Sequence, residues 1–153
     1  MPRVLIDTNV WVSALLNPHG FPAQIMDALR AGKFKLVLSE PLLAELRDVL
    51  SSPRLVNKYH LEPRDTMELV ALPEEKAIKL EPPGELHLCR DPRDDFALET
   101  ALLGRAEYAV SRDDDLKRDT DLVKEMQERG VKVVSVRQFL NALEDQAARV
   151  NED

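Results

Sequence analysis

The stretch Val4-Leu5-Ile6-Asp7-Thr8-Asn9 decides how the rest of this sequence is interpreted. Three apolar residues lead directly into a carboxylate, a hydroxyl and an amide, which is typical of a short buried strand with polar groups at its end. In open α/β sheets, ligands bind beyond the carboxyl ends of the strands. The stretch therefore predicts the first strand of such a sheet, and Asp7 becomes the first candidate for a functional acid.

The apolar pattern of the remaining chain alternates short strands with helices. Further strands are predicted over 34–38, 77–80, 108–110 and 131–134. Helices are predicted over 22–31, 40–50, 55–59, 64–72, from 92 to near 104, over 121–130 and after Ser135. No helix is predicted directly after Asp7, because the chain soon breaks at Pro18. This alternation predicts an α/β fold, a three-layer α/β/α sandwich with a central, mainly parallel sheet.

The length and charge of the chain limit the classes of protein to consider. The 153 residues suit one domain, expected over 1–150, with a frayed tail over 151–153. A net charge of −7 disfavours a basic nucleic-acid-binding protein but permits a nuclease, because a metal site concentrates carboxylates. The single cysteine excludes an internal disulfide and a cysteine-rich metal site. Without a long apolar run or a signal-peptide pattern, we expect a cytoplasmic protein with no membrane contact.

Glu45 and Asp113 are two further candidates for functional acids. Glu45 lies about 100° from the centre of the apolar stripe of its helix, on the flank of the buried face. Asp113 follows the strand over 108–110, and that strand is expected to lie beside the first one. The alternatives are a solvated helix residue for Glu45 and an acidic surface turn for Asp113. If the two strands are neighbours, Asp7 and Asp113 lie close together at the switch point of the sheet.

The run Asp91-Pro92-Arg93-Asp94-Asp95 opens a helix, with the first aspartate as N-cap and the proline at the first helical position. Asp94 falls in the middle of the apolar stripe of this helix, and Asp95 lies about 100° from it. We therefore expect Asp94 to point towards the body of the protein, and we favour it over Asp95 as the functional acid. The alternative role for Asp94 is stabilisation of the helix dipole. The stripe consists of Ala97, Leu98, Ala101 and Leu102.

Together these acids predict a site made of carboxylates: Asp7, Glu45, Asp94 and Asp113. Such crowded charges repel one another unless a cation lies between them. Carboxylate oxygens are the ligands that Mg²⁺ and Mn²⁺ prefer. The chemistry that such metals serve is typically phosphodiester hydrolysis.

With these residues identified, the sequence resembles the PIN-domain ribonuclease family over nearly its whole length. The Asp-Pro-x-Asp-Asp form of the third motif resembles the subgroup of toxin components similar to VapC-type toxins. Phe96 departs from that subgroup, whose members often carry a Lys or a similar polar residue there. Four stretches match the family motifs in order: Leu5 to Val10, Leu38 to Leu46, Arg90 to Asp95 with Leu98 and Ala101, and Tyr108 to Leu116.

The resemblance implies roles for individual residues. It makes the four acids the catalytic and metal-binding residues: Asp7, Glu45, Asp94 and Asp113. Asp115 is an auxiliary candidate, Asp95 is kept as a further candidate metal ligand, and the supporting polar residues are Thr8, Asn9 and Ser111. It also implies an Mg²⁺- or Mn²⁺-dependent endoribonuclease that hydrolyses single-stranded RNA, the toxin of a toxin–antitoxin pair, with an antitoxin partner and a homodimeric assembly.

Other interpretations of the same residues remain open. Arg93, Arg112 and Lys117 lie near the motifs and are candidates for RNA phosphate contacts. The alternative, which the sequence slightly favours for each of them, is a solvated charged face. A phosphoacceptor receiver domain needs a lysine at the end of a later strand, whereas Lys132 begins one. A PIN-like module without catalysis, which binds RNA or a protein partner, is the main alternative to a nuclease.

Overall fold

The structure, a computed structural model, describes residues 1–88, 92–112 and 120–152, with only the backbone of Arg93 and of residues 150–152. The described strands are β1 (Arg3–Ile6), β2 (Lys35–Ser39), β3 (Ala77–Leu80), β4 (Tyr108–Ser111) and β5 (Lys132–Ser135). They form one sheet in the order β3-β2-β1-β4-β5, and every pairing is parallel. The predicted α/β architecture with a parallel sheet is confirmed.

Helices connect the strands and cover the sheet. Those within the described residues are α1 (Thr8–Leu16), α2 (Phe21–Arg30), α3 (Glu40–Leu50), α4 (Pro53–Tyr59), α5 (Pro63–Lys76), α6 (Pro92–Leu103), α7 (Thr120–Glu128) and α8 (Val136–Glu152). In the part of the chain that the structure describes, no helix is both long and apolar enough to cross a membrane.

The strand order creates a switch point between β1 and β4. The chain runs outward from β1 through β2 to β3, then crosses to β4 on the other side of β1 and continues to β5. Because such crossovers are right-handed, α1 to α5 cover one face of the sheet, and α6 and α7 cover the other. Helix α8 returns to the first face, where it packs against α2, β4 and β5. The sheet is therefore enclosed between two helical layers.

Large apolar side chains fill the space between the layers. Trp11, Leu43 and Phe139 are fully buried. The Phe139 ring packs edge-on against Phe34, with ring centroids 5.2 Å apart and an interplanar angle of 84°, and its centroid lies 5.6 Å from that of Tyr108. This aromatic cluster joins α8 to the sheet.

Local sequence signals account for several helix ends. The Ser39 hydroxyl accepts a hydrogen bond from the Leu42 N–H at 3.4 Å, which confirms it as the N-cap of α3. Ser135 and Gln138 cap α8 reciprocally: the Gln138 N–H donates to the Ser135 hydroxyl, and the Ser135 N–H donates to the Gln138 side chain. Gly32 follows α2 with φ +72°, the left-handed conformation predicted for the residue after a helix.

Two predicted helix boundaries are wrong. Helix α1 begins directly after Asp7, where no helix was predicted. Its nine residues are too short for the periodicity to stand out, although Val10 and Ala14 bury one face. Helix α5 continues through Pro73, where an end was predicted at residue 72. A proline in the last turn removes only one backbone hydrogen bond, and here its ring is buried.

Thr66 on α5 offers a test of the packing. Its side chain is buried, and within the described residues its hydroxyl has no hydrogen-bond partner. Burial of an unsatisfied polar group is costly. We expect Thr66→Val, which keeps the shape and removes the hydroxyl, to raise the free energy of unfolding by about 1 kcal/mol. Urea denaturation measures this change. A lower midpoint for the variant would show that the hydroxyl is satisfied in solution.

Candidate functional site

Asp7 lies at the carboxyl edge of the sheet, between β1 and α1. Its backbone N–H donates to the Val110 carbonyl at 2.9 Å, so β1 stays paired with β4 up to this edge. Asp7 is the N-cap residue of α1 with φ −62° and ψ 145°, but its side chain makes no capping hydrogen bond. Asp7 therefore follows the predicted strand and also occupies the N-cap position of a helix. The half-buried carboxylate does not serve as a cap.

The end of β4 lies beside Asp7. Ile6 pairs with Val110, and Ser111, which is half-buried, ends the strand one residue later. Neighbouring strands lie about 4.8 Å apart, which brings Ser111 and Asp7 close together at the switch point. The predicted adjacency of these two strands is confirmed. Exposed Arg112 follows. Four residues to which the sequence assigned roles lie outside the described residues: the predicted N-cap Asp91, and Asp113, Asp115 and Lys117.

Asp94 is exposed and Asp95 is buried, which reverses the predicted burial of the pair. Asp94 lies seven residues before Ala101, so the two share a helix face about 10 Å apart along the axis. Ala101 is fully buried, but the first turn of α6 stands at the edge of the sheet, where the same face meets solvent. Asp95 is buried because the segment over 84–88 covers its side of the helix.

The start of α6 lies at the same edge of the sheet as Asp7. β3 ends at this edge, and α6 follows it. The far end of α6 lies at the opposite edge, where the Arg3 guanidinium at the start of β1 donates to the Gly104 carbonyl at 3.3 Å. Helix α6 contacts β1, β2 and β4 on the way. Asp7, which follows β1, and Asp94, in the first turn of α6, therefore lie at the same edge of the sheet.

The remaining predicted residues lie on α1, α3 and α6, the helices that begin at this edge. Glu45 is half-buried, one residue before fully packed Leu46, in the second turn of α3. That helix begins at the carboxyl end of β2 and packs against α1, so Glu45 lies on the same side of the sheet as Asp7. Thr8 is half-buried and Asn9 is exposed at the start of α1. The backbone of Arg93 lies in the first turn of α6, and its side chain is outside the described residues.

The acids at this edge match the chemistry of a hard divalent cation, since carboxylates are its preferred ligands. Within residues 1–88, 92–112 and 120–152, no three His, Cys, Asp or Glu side chains are grouped closely enough to hold a metal. Two of the acids assigned to the site, Asp113 and Asp115, lie outside these ranges. The metal site is therefore a proposal that rests on the shared edge of the sheet and on the ligand chemistry.

Glu99 is a residue of this region that the sequence reasoning missed. Its buried carboxylate accepts hydrogen bonds from the backbone N–H groups of Gly84, Glu85 and Leu86, at 2.5, 2.7 and 2.6 Å. Burial alone would raise its pKa, but these three donors, with a smaller contribution from the charge of His87, hold the pKa below its ordinary value of 4.5. The sequence signal for this role was a glutamate in an otherwise apolar part of the helix, four residues after another acid, Asp95.

The lowered pKa of Glu99 gives a pH dependence of stability. A carboxyl whose folded pKa is below its unfolded pKa stabilises the fold fully above the unfolded value. That contribution is lost as pH falls through the folded pKa, so acid removes it below about pH 4.5. We expect Glu99→Gln to lower the unfolding free energy at pH 7 and to flatten its acid dependence. Denaturant titrations at several pH values test this. Parallel stability–pH curves for both proteins would contradict it.

A parallel sheet with Asp7 at its switch point defines an α/β/α protein with a candidate catalytic edge. The sequence model of the PIN domain family matches residues 3–115. The chain therefore belongs to the PIN domain family, whose members are in general nucleases.

Individual proteins are similar to this chain in sequence or in fold. The uncharacterized protein MJ1680 of Methanocaldococcus jannaschii is 28% identical over 144 residues, which cover 93% of this chain and 92% of that protein. A chain of VapBC2 from Rickettsia felis, solved bound to a DNA fragment from their promoter, matches with a TM-score of 0.55 and 16% identity over 87% of this chain and 98% of that one. The PilT N-terminus domain protein SSO1118 of Sulfolobus solfataricus gives a TM-score of 0.48 at 13% identity, with 92% coverage of each chain.

Proposed function

We propose that this protein is a metal-dependent endoribonuclease that hydrolyses phosphodiester bonds in single-stranded RNA and acts as the toxin of a toxin–antitoxin pair. Membership in the PIN domain family supports nuclease activity in general. The finer proposal is supported by the topology, in which Asp7 follows β1 beside the end of β4 and exposed Asp94 lies in the first turn of α6, at the same edge of the sheet. Carboxylate oxygens at this edge suit a hard divalent cation, because they are the ligands that Mg²⁺ and Mn²⁺ prefer.

In this proposal, Asp7, Glu45, Asp94 and Asp113 hold Mg²⁺ or Mn²⁺, with Asp115 as an auxiliary ligand. The cation, when bound, activates water and stabilises the leaving oxygen. The open edge admits an RNA strand, since Asp94 is exposed there. The phosphate contacts are assigned to Arg93, Arg112 and Lys117.

The protein's own polar groups orient these ligands. Thr8, Asn9 and Ser111 flank Asp7 at the ends of β1 and β4, where their side chains can hold a carboxylate in one direction. Asp95 was kept as a candidate ligand, but its carboxylate is buried against the Leu88 N–H, so we assign it a structural role.

The proposed partners follow from the family and from the fold match. The likeness to a chain of VapBC2 supports an antitoxin partner and a toxin role for this chain. We propose in addition that the protein is cytoplasmic and forms a homodimer. A small gene for a DNA-binding protein beside the gene for this chain would support the antitoxin.

A cleavage assay tests the proposed activity. Purified protein is incubated with end-labelled single-stranded RNA and Mn²⁺, with and without EDTA, and with double-stranded RNA and single-stranded DNA as alternative substrates. We expect internal cleavage of the single-stranded RNA that EDTA abolishes. The absence of cleavage by wild-type protein, together with unchanged RNA binding by Asp7→Asn, would overturn the nuclease and favour a module that only binds RNA or a protein partner.

A further inference from the structure

Two buried carboxylates on α6 fasten the preceding segment of the chain. Glu99 accepts from the backbone N–H groups of Gly84, Glu85 and Leu86 at 2.5, 2.7 and 2.6 Å. Asp95 accepts from the Leu88 N–H at 2.7 Å. We call this arrangement the clasp. It consists of the Asp95 and Glu99 side chains and the four backbone N–H groups that they bind.

The clasp keeps two charges away from water. Asp95 is 6% exposed and Glu99 is 8% exposed. Burial of a carboxylate is strongly unfavourable unless hydrogen bonds compensate for lost hydration. Short bonds from N–H groups to ionised carboxylates are the strong kind, and Glu99 has three. Because an apolar side chain cannot accept these bonds, a hydrophobic residue at position 99 would leave three backbone donors unsatisfied.

The clasp also fixes the rotation of α6. Asp95 and Glu99 are four residues apart, so they lie on one helix face within about 40° of each other. Asp94 precedes Asp95 and is turned by about 100° from it, towards the face that carries Ala101. Rotation of the helix about its axis would break the bonds to the 84–88 segment and would swing Asp94 along the edge of the sheet. The direction of Asp94 is thus coupled to the clasp.

The position of the first turn of α6 is restrained as well. Leu88 is held by Asp95, and only residues 89–91 separate it from Pro92, where the helix begins. Leu88 and Pro92 are therefore both held by α6. The stretch includes Asp91, and Asp94 follows it in the first turn.

We propose that Glu99 and Asp95 are positioning residues for the acidic site: through the clasp they hold the first turn of α6 so that Asp94 faces Asp7, the proposed metal ligand that follows β1. This proposal rests on the proposed nuclease function. Glu99 itself contacts neither the metal nor RNA. Its loss is expected to act through the orientation of Asp94.

The test compares Glu99→Gln with Glu85→Gln, which changes an exposed side chain of the same segment and keeps its backbone N–H. Hydrogen exchange reports the clasp directly, and calorimetric titration with Mn²⁺ reports the acidic site. We expect Glu99→Gln to exchange the amides of Gly84, Glu85 and Leu86 at least 10-fold faster. We also expect it to bind Mn²⁺ at least 5-fold more weakly, with lower kcat, while Glu85→Gln behaves as wild type.

Two results would overturn the proposal: unchanged exchange at these amides in Glu99→Gln, or faster exchange with unchanged Mn²⁺ affinity and kcat. If Glu99→Gln does not fold, the wild-type protein provides the measurement, because coupling between two sites is reciprocal. Bound Mn²⁺ must then slow exchange at the three amides, and the absence of slowing would contradict the proposal. A wild-type protein that neither binds Mn²⁺ nor cleaves RNA would instead refute the proposed function, whatever the exchange of the clasp amides.

Discussion

Asp94→Asn is expected to abolish metal-dependent RNA cleavage while the protein stays folded. The amide keeps the size of the side chain but removes the charge that a hard cation needs. Loss of a group that only supports a metal ligand costs 10- to 100-fold in affinity or activity, so loss of a ligand should reduce turnover by more than about 100-fold. Because Asp94 is exposed at the start of α6, its replacement removes no core packing.

Thermal melting of the metal-free proteins provides the second half of this prediction. Removal of one of several neighbouring carboxylates relieves repulsion, so Asp94→Asn and Asp7→Asn should both melt at or above the wild-type temperature without metal. Asp48→Asn, an exposed acid far along α3, is the matched control and should cleave RNA normally. Full cleavage by Asp94→Asn, or lower melting temperatures for both site variants, would contradict a cluster of acids.

Mn²⁺ is expected to raise the melting temperature of the wild-type protein. A ligand that binds only the folded state at 100 times its Kd stabilises it by about 2.7 kcal/mol. For a domain of this length, each kcal/mol shifts Tm by roughly 2–4 °C, so the rise should be roughly 5–10 °C. Scanning fluorimetry across a Mn²⁺ titration measures it, and EDTA should reverse it.

The same titration separates specific from general ion effects. Mg²⁺ should act in the same direction, and equal ionic strength of NaCl should not. Asp7→Asn should lose most of the shift, whereas Asp48→Asn should keep it. An equal rise for wild type and Asp7→Asn would assign the effect to a site elsewhere.

The sheet could be predicted from sequence because its signals are local. Val4 to Ile6 and the run over 34–38 are short, mainly apolar segments bounded by polar or turn residues, which favours buried strands. Ser39 marks the start of a helix through its side-chain hydroxyl, and Gly32 marks the end of one through its left-handed backbone conformation. The adjacency of β1 and β4 also followed, since acids at the ends of both strands suggested one shared edge.

The burial of the acids on α6 could not be predicted in the same way. An apolar stripe identifies one buried face, whereas α6 is covered by the sheet on one side and by the 84–88 segment on another. The 84–88 segment presents backbone N–H groups to the helix, so the residues that it contacts are Asp95 and Glu99 rather than apolar residues. The sequence predicted that Asp94 shares the helix face of Ala101, but it also predicted burial. Asp94 is exposed because the first turn of α6 lies at the edge of the sheet.

The proposed function requires that Asp7 after β1, Asp94 on α6 and Asp113 after β4 bind a divalent cation at one site. Crystals grown or soaked with MnCl₂ test it through anomalous scattering at the manganese edge. We expect an anomalous manganese peak at the carboxyl edge of the sheet, within coordination distance of the Asp7 and Asp94 carboxylates. The peak should disappear in crystals of Asp94→Asn. A wild-type map without a peak at this edge, or with manganese bound only elsewhere, would contradict it.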